Sequence, residues 1–397
     1  MIKEIAELAS RFFEDSVRIR RYLHGNPELS FQEYQTTKFI KEQLAEYGIP
    51  LIDIKLETGT VGILKCKNPD KKVIALRSDI DALPIQEDNQ LEYASKADGV
   101  MHACGHDAHM AILLGAARIL SGLKNDIEGT ILFIFQPAEE TLPGGAKQII
   151  ESGAISNPKP EIIIGQHVIP DMTSGVLGFK AGEFMASTDE VTLSIKGKGG
   201  HAAMPHQITD TILITSHIIV ALQQIVSRKA YAATPTVLSF GKIDAPGRDN
   251  IIPSVVTVYG TLRTMDETWR YEAHKLIKKI SESVAEGMGA RCEVEITIGY
   301  PALINDNNVT EKVKHLAKEA IGESSVEDIN LRMISEDFAY YAQFAPSCFY
   351  YLGVKPKDSE EYYPLHSSKF NIDERALKTG ITALSYIAAG LLKQKKF

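Results

Sequence analysis

The sequence predicts an α/β fold: a mixed, largely parallel sheet, interrupted by a smaller inserted α+β unit. Three observations carry this expectation. Apolar runs of strand length alternate with helix-length stretches in the first part of the chain, the pattern of strands joined by crossover helices. The middle of the chain shows strands of alternating polarity, the period of a sheet with one solvated face. The length, 397 residues, exceeds what a single core ordinarily organises, so a second unit is expected.

The opening stretch, MIKEIAELASRFFEDSVRIRRYLH, reads as an amphipathic helix of mixed charge. It has neither the apolar core nor the small-residue cleavage site of a signal peptide. Apolar runs predict strands at 73–76, 130–135, 162–164 and 348–352, with helices at 108–120, 145–152, 310–321 and about 373–392. In the middle, Val191, Leu193 and Ile195 alternate with polar residues. A helix at 210–226, strands at 236–243 and 254–263, a helix at about 267–288 and a strand at 292–298 follow. In the last of these Cys292, Val294, Ile296 and Ile298 alternate cleanly. Strand, helix, strand, strand, helix, strand is the ferredoxin-like order. It places an inserted domain at 187–297 and leaves 1–186 and 298–397 as a discontinuous first domain.

A net charge of −8 argues against nucleic acid as a partner, because phosphate binding wants a basic face. No apolar run reaches the roughly 18 residues of a membrane span. Cys66, Cys104, Cys292 and Cys348 are scattered and form no CxxC pair, which favours a reducing cytoplasm over a disulfide framework.

The chemistry-bearing residues gather at strand ends. The apolar run 131–135 leads into Gln136-Pro137-Ala138-Glu139-Glu140, the run 162–164 into Gly165-Gln166-His167, and 73–76 into Arg77-Ser78-Asp79-Ile80-Asp81. Ligands of open α/β sheets bind beyond the carboxyl ends of the strands, so three strands deliver carboxylates or imidazole to one rim. The loop His102-Ala103-Cys104-Gly105-His106-Asp107, just before a helix, adds a fourth cluster. Cys104 and His106 can point at one ion there, where a cation and the helix dipole stabilise a thiolate; the other reading is a buried structural cysteine beside a capping cluster. Adjacent carboxylates such as Glu139-Glu140 repel unless a cation lies between them or one keeps a proton. Glu140 then suits a metal ligand, and Glu139 a general base toward a water acidified by the ion; the alternative is a solvated acidic turn. His366 lies in a loop before the last helix and has little standing alone. His217, His274 and His315 fall in helical patterns as surface residues, while His24 and His109 are ambiguous.

Taken in order, HACGHD, QPAEE, GQHV, GGHAAMPH, DNIIP, GTLRT, SEDF and LHSSKF resemble the hippurate hydrolase and indoleacetyl-amino-acid hydrolase branch of the aminoacylase/carboxypeptidase-G metallohydrolases, from about Arg20 to Phe370. The resemblance implies that Cys104, His106, Glu140, His167 and His366 bind two divalent ions, with Cys104 in the bridging place that aspartate fills in other branches. It implies Glu139 as general acid/base and Asp79 as a group orienting a ligand from behind. Arg77 stands where the wider family has a metal-binding His, which leaves the two ion sites unequal. The inserted domain would be a lid and dimerisation domain. His201 of the partner subunit would stabilise the oxyanion, and Asn250 and Arg263 would hold the substrate carboxylate.

The implied activity is metal-dependent hydrolysis of N-acyl-L-amino acids by a homodimer, with zinc, manganese, nickel or cobalt as the ion. A dipeptidase or carboxypeptidase with the same di-metal site is the first rival. A cysteine hydrolase using Cys104 with His106 and a non-catalytic zinc-dependent binding protein are the others.

Overall fold

The computed structural model describes residues 1–358 and 361–393. The chain divides into two compact units, Met1–Phe184 with Ile304–Leu331 and Asp337–Phe397, and Met185–Leu303 with Arg332–Glu336.

The first unit is built on an eight-stranded sheet. Its order is Leu51–Ile52, Thr60–Lys65, Thr130–Gln136, Val73–Asp79, Ile162–Thr173, Ser347–Lys355, Leu177–Phe179 and Val326–Asp328. The four central strands, from Thr130–Gln136 to Ser347–Lys355, run parallel. Antiparallel pairings extend the sheet on both flanks. Parallel strands are covered on both faces, and Thr130–Gln136 is accordingly buried at every position. The helix His106–Gly122, also almost wholly buried, packs on the sheet alongside Arg375–Lys393. Gly115 permits this close approach, because a Cβ there would lie 2.7 Å from Ile381 Cδ1.

Two expectations change. The amphipathic N-terminal stretch is two helices, Ile2–Arg11 and Phe13–Gly25, because Phe12 leaves helical geometry (φ −96°, ψ 6°). The break lets Ile5 and Ala9 on one side, and Val17 and Leu23 on the other, each join the core. The strand expected to stop before His167 instead runs on to Thr173. The parallel partner Ser347–Lys355 continues beside it, so that Tyr351 pairs with His167. His167 is therefore held by the sheet and not by a loop.

The second unit has the ferredoxin-like arrangement. Its sheet order is Thr236–Asp244, Val255–Thr264, Asp189–Lys196 and Arg291–Ile298, antiparallel throughout. Val191, Leu193 and Ile195 meet Ile214, Ile218 and Leu222 of the helix Thr211–Gln224 and Ala273 and Ile277 of Glu267–Gly287 in one core. Asp210 and Asp266 cap these helices by accepting from Leu213 N and Trp269 N. By length and composition Thr211–Lys229 could cross a membrane; its buried face belongs to this core. His274, expected as a surface residue, bonds Asp189 at 2.7 Å beside the buried Arg270–Asp189 pair. Arg332–Glu336 joins this unit, with Ala186 N donating to Ile334 O.

Candidate metal centre

The sheet and one helix N-terminus bring the first unit's donors together. Cys104, His106 and His167 offer ligand atoms within 4.8 Å of one another, and so do Cys104, Glu140 and His366. His106, Glu139 and Glu140 form a third such group. Cys104 is common to the first two sets, with its Sγ 3.4 Å from His167 Nε2.

Hydrogen bonds fix which ring nitrogens are available. A carbonyl oxygen can only accept, so the Nδ1 of His106, 2.8 Å from Asp81 O, carries the proton. The Nδ1 of His167, 2.6 Å from Val168 O, does likewise. Both histidines thereby leave Nε2 as the nitrogen available to an ion, the arrangement of a metal-ligating imidazole anchored through its other nitrogen. The His106 Nε2 is buried with no hydrogen-bond partner among the described residues. His109 is set the other way. Its Nε2 accepts the Val168 N–H at 2.8 Å, so its Nδ1 donates to Asp79 at 2.6 Å, and neither nitrogen is free for an ion.

The backbone aims these groups. Gly105, at φ +87°, turns the chain between Cys104 and His106, and a Cβ there would meet Val168 Cγ2 at 2.3 Å. Ala138 (φ 48°) and His366 (φ 65°) are also left-handed. The His366 loop is tied to the Cys104 loop by His366 N donating to Ala103 O, which leaves His366 Nε2 3.2 Å from Glu140 Oε1.

The electrostatics call for a cation. Burial, then Glu140, Glu139 and Asp79, push the Cys104 thiol well above its usual range, so a thiolate forms there only beside positive charge. Burial alone would lower His106, but Asp79, Asp81 and Glu140 outweigh it and raise it to about 10. The negative charge that favours a proton on His106 equally favours a metal ion in that proton's place. Burial, then His109, hold His167 well below the usual imidazole range. Cys104 and the neutral His167 beside it therefore make a poor thiolate–imidazolium pair. Thiolate, imidazole and carboxylate donors around an acidic pocket fit divalent transition ions.

Behind the donors, Arg77 is fully engaged. It donates to Gln136 Oε1 (2.9 Å), Asp79 Oδ2 (2.8 Å) and Asp337 Oδ1 (2.9 Å), all buried. The hydrogen bonds of Asp79 go to Arg77 and His109, and its Oδ2 lies 3.7 Å from His106 Nε2. His24, ambiguous in sequence, is buried and bonds Asp107 at 2.8 Å.

In the second unit, His201 and Asn250 are exposed and adjacent. His201 pairs with Ile251, and Ala202 N donates to Asn250 O. Arg263 is half-buried and donates to Ser335 Oγ at 2.7 Å.

Sequence reasoning missed the contacts of Asp81 with His106, of Glu33 with Ala138 and of His109 with Asp79 and Val168. The i, i+3 spacing of His106 and His109 on one helix was a usable signal for the last; the other two act through contacts that no local pattern reveals.

A sequence model of Peptidase family M20/M25/M40 matches residues 75–389. The chain is 42% identical over 303 residues to the N-acyl-L-amino acid amidohydrolase of Geobacillus stearothermophilus, covering 76% of this chain and 81% of that one. It is 39% identical over 375 residues to thermostable carboxypeptidase 2 of Saccharolobus solfataricus, covering 94% of each. The crystal structure of the Bacillus subtilis YXEP protein, a dinuclear metal binding peptidase from the M20 family, superposes with a TM-score of 0.81 at 35% identity. That match covers 97% of this chain and 99% of the other.

Proposed function

The chain belongs to peptidase family M20/M25/M40 and is a metal-dependent amidohydrolase, and we propose that it cleaves N-acyl-L-amino acids to a carboxylate and a free amino acid. The observation that carries the reading is that two donor triads share Cys104, with Glu139 at their edge. In this reading Cys104, His106, Glu140, His167 and His366 hold two divalent ions.

When bound, the ions polarise the scissile carbonyl and acidify water near neutral pH. Glu139, buried in the turn that follows the strand Thr130–Gln136, accepts a proton from the attacking water and delivers it to the departing nitrogen. His201 donates to the oxyanion, while Asn250 and Arg263 hold the substrate carboxylate through the planar guanidinium and an amide. The second unit acts as a lid and as the dimer contact, and His201 comes from the other protomer. The protein works in the cytoplasm with zinc, manganese, nickel or cobalt; its buried free cysteines suit a reducing compartment.

The carboxypeptidase among the relatives keeps peptide cleavage as the second reading. A panel of N-acetyl- and benzoyl-amino acids set against dipeptides and longer peptides separates the two. Preferential turnover of acyl-amino acids, lost on chelation and restored by one ion, is the expected result. Preferential turnover of peptides would reverse the substrate assignment.

A further inference from the structure

The turn that carries Glu139 is gripped on both sides by carboxylates from distant parts of the chain. On one side Glu33 Oε1 accepts the Ala138 N–H at 2.7 Å. On the other, Asp81 Oδ2 accepts the Glu140 N–H at 3.0 Å and is itself steadied by Ser30 Oγ at 2.7 Å. Ala138 sits at φ 48°, a backbone region that L side chains rarely adopt. The Glu33 contact therefore falls on the residue least inclined to hold its conformation. Glu33 is fully buried at the head of the helix Tyr34–Glu46. The same helix fixes the neighbouring chain through Thr37 Oγ1, which accepts from Gly59 N at 2.8 Å. Gly59 in turn packs against Pro137 so tightly that a Cβ there would lie 2.5 Å from its ring.

We propose that Glu33 is a positioning residue for hydrolysis: it locks the left-handed turn at Ala138 and so sets the aim of Glu139. The proposal rests on Glu139 being the general base. Among the described residues Glu33 makes no hydrogen bond or ion pair with Cys104, His106, Glu140, His167 or His366, so its loss misdirects the proton transfer and leaves ion binding and substrate affinity in place. A group that merely glued the fold would lower the amount of folded protein without separating kcat from KM.

The test compares Glu33→Ala, Glu33→Gln and Glu139→Gln in the metal-loaded enzyme, measuring kcat, KM and bound metal on the N-acyl-amino acid that the wild type turns over fastest. Glu33→Ala is expected to lower kcat roughly tenfold or more, with KM and metal content near wild type. Glu33→Gln keeps an oxygen for the Ala138 N–H and is expected to recover about half of the loss or more on that scale. If Glu33→Ala does not fold, Glu33→Asp, one methylene short of Ala138, takes its place with the same expectation. An inactive Glu139→Gln alongside a Glu33→Ala with wild-type kcat, or a Glu33→Ala that loses its metal, would overturn the positioning role alone. An active Glu139→Gln would overturn the general-base reading beneath it.

Discussion

His109 Nδ1 donates to Asp79 Oδ1 at 2.6 Å while its Nε2 receives the Val168 N–H, so this imidazole joins a strand-end carboxylate to the residue after His167. It is saturated as a hydrogen-bonding group, although Asp79, His106 and His109 lie close enough together to suggest a metal site. His109→Ala is expected to keep the full metal complement. It should lose stability on the order of 2–4 kcal/mol, because two buried polar groups are left unpaired. His167→Ala should instead shed metal. Thermal unfolding and elemental analysis of the two variants check the distinction; loss of an ion from His109→Ala with unchanged stability would contradict it.

Glu139→Gln removes the proton acceptor but keeps the size of the side chain. Turnover should fall by roughly two to four orders of magnitude, the usual worth of general acid–base catalysis. Metal content should be unchanged, since the two triads that share Cys104 do not include Glu139. Steady-state rates beside metal analysis decide this.

Two buried groups set opposing pH dependences of stability. Burial drives His102 down to about 4 from its ordinary 6.5. The unfolded chain then binds that proton first, and stability is lost as pH falls from about 6.5 to 4. Burial and then Asp81 raise Glu33 from 4.5 to about 7, so the folded state holds that proton longer and stability is lost as pH rises through this window. Each amounts to about 3 kcal/mol, and the two largely cancel between about pH 4.5 and 6.5. His167, also held below its ordinary range by burial, adds to the loss on the acid side, so in denaturant unfolding the wild-type protein should lose stability as pH falls through this window. Glu33→Gln should steepen that loss, and His102→Gln should flatten it. Equal slopes in all three proteins would refute the assignment.

Gly105→Ala places a Cβ 2.3 Å from Val168 Cγ2 at φ +87°. Sterics and backbone conformation both oppose it, and the turn between Cys104 and His106 must shift. Metal affinity and stability should fall together, in contrast with His109→Ala. A metal titration of the variant shows whether they do.

Glu139, Glu140 and His167 were legible as candidate donors because they follow apolar runs of strand length, and Cys104 and His106 because they precede a buried helix, whereas His366 stood out only through the family resemblance. QPAEE after 131–135 and the loop ahead of the buried helix at His106 both announce a rim of polar groups on a hydrophobic sheet. The inserted unit was legible for the same reason, since alternation in 191–195 and 292–298 marks strands with one wet face. His167 was misjudged as a strand end because the extent of a strand depends on its partner, Ser347–Lys355, which lies far away in sequence. The supporting contacts were not legible at all. Glu33 to Ala138, Asp81 O to His106 and Arg77 to Asp337 join segments tens to hundreds of residues apart, and neither propensity nor periodicity encodes them.

The most direct test of the di-metal centre is anomalous diffraction from crystals of the protein loaded with manganese or zinc. Two peaks that share the Cys104 sulfur are expected, one also bound by His106 and His167, the other by Glu140 and His366. A single peak among Asp79, His106 and His109, or peaks that leave Cys104 unligated, would contradict that arrangement.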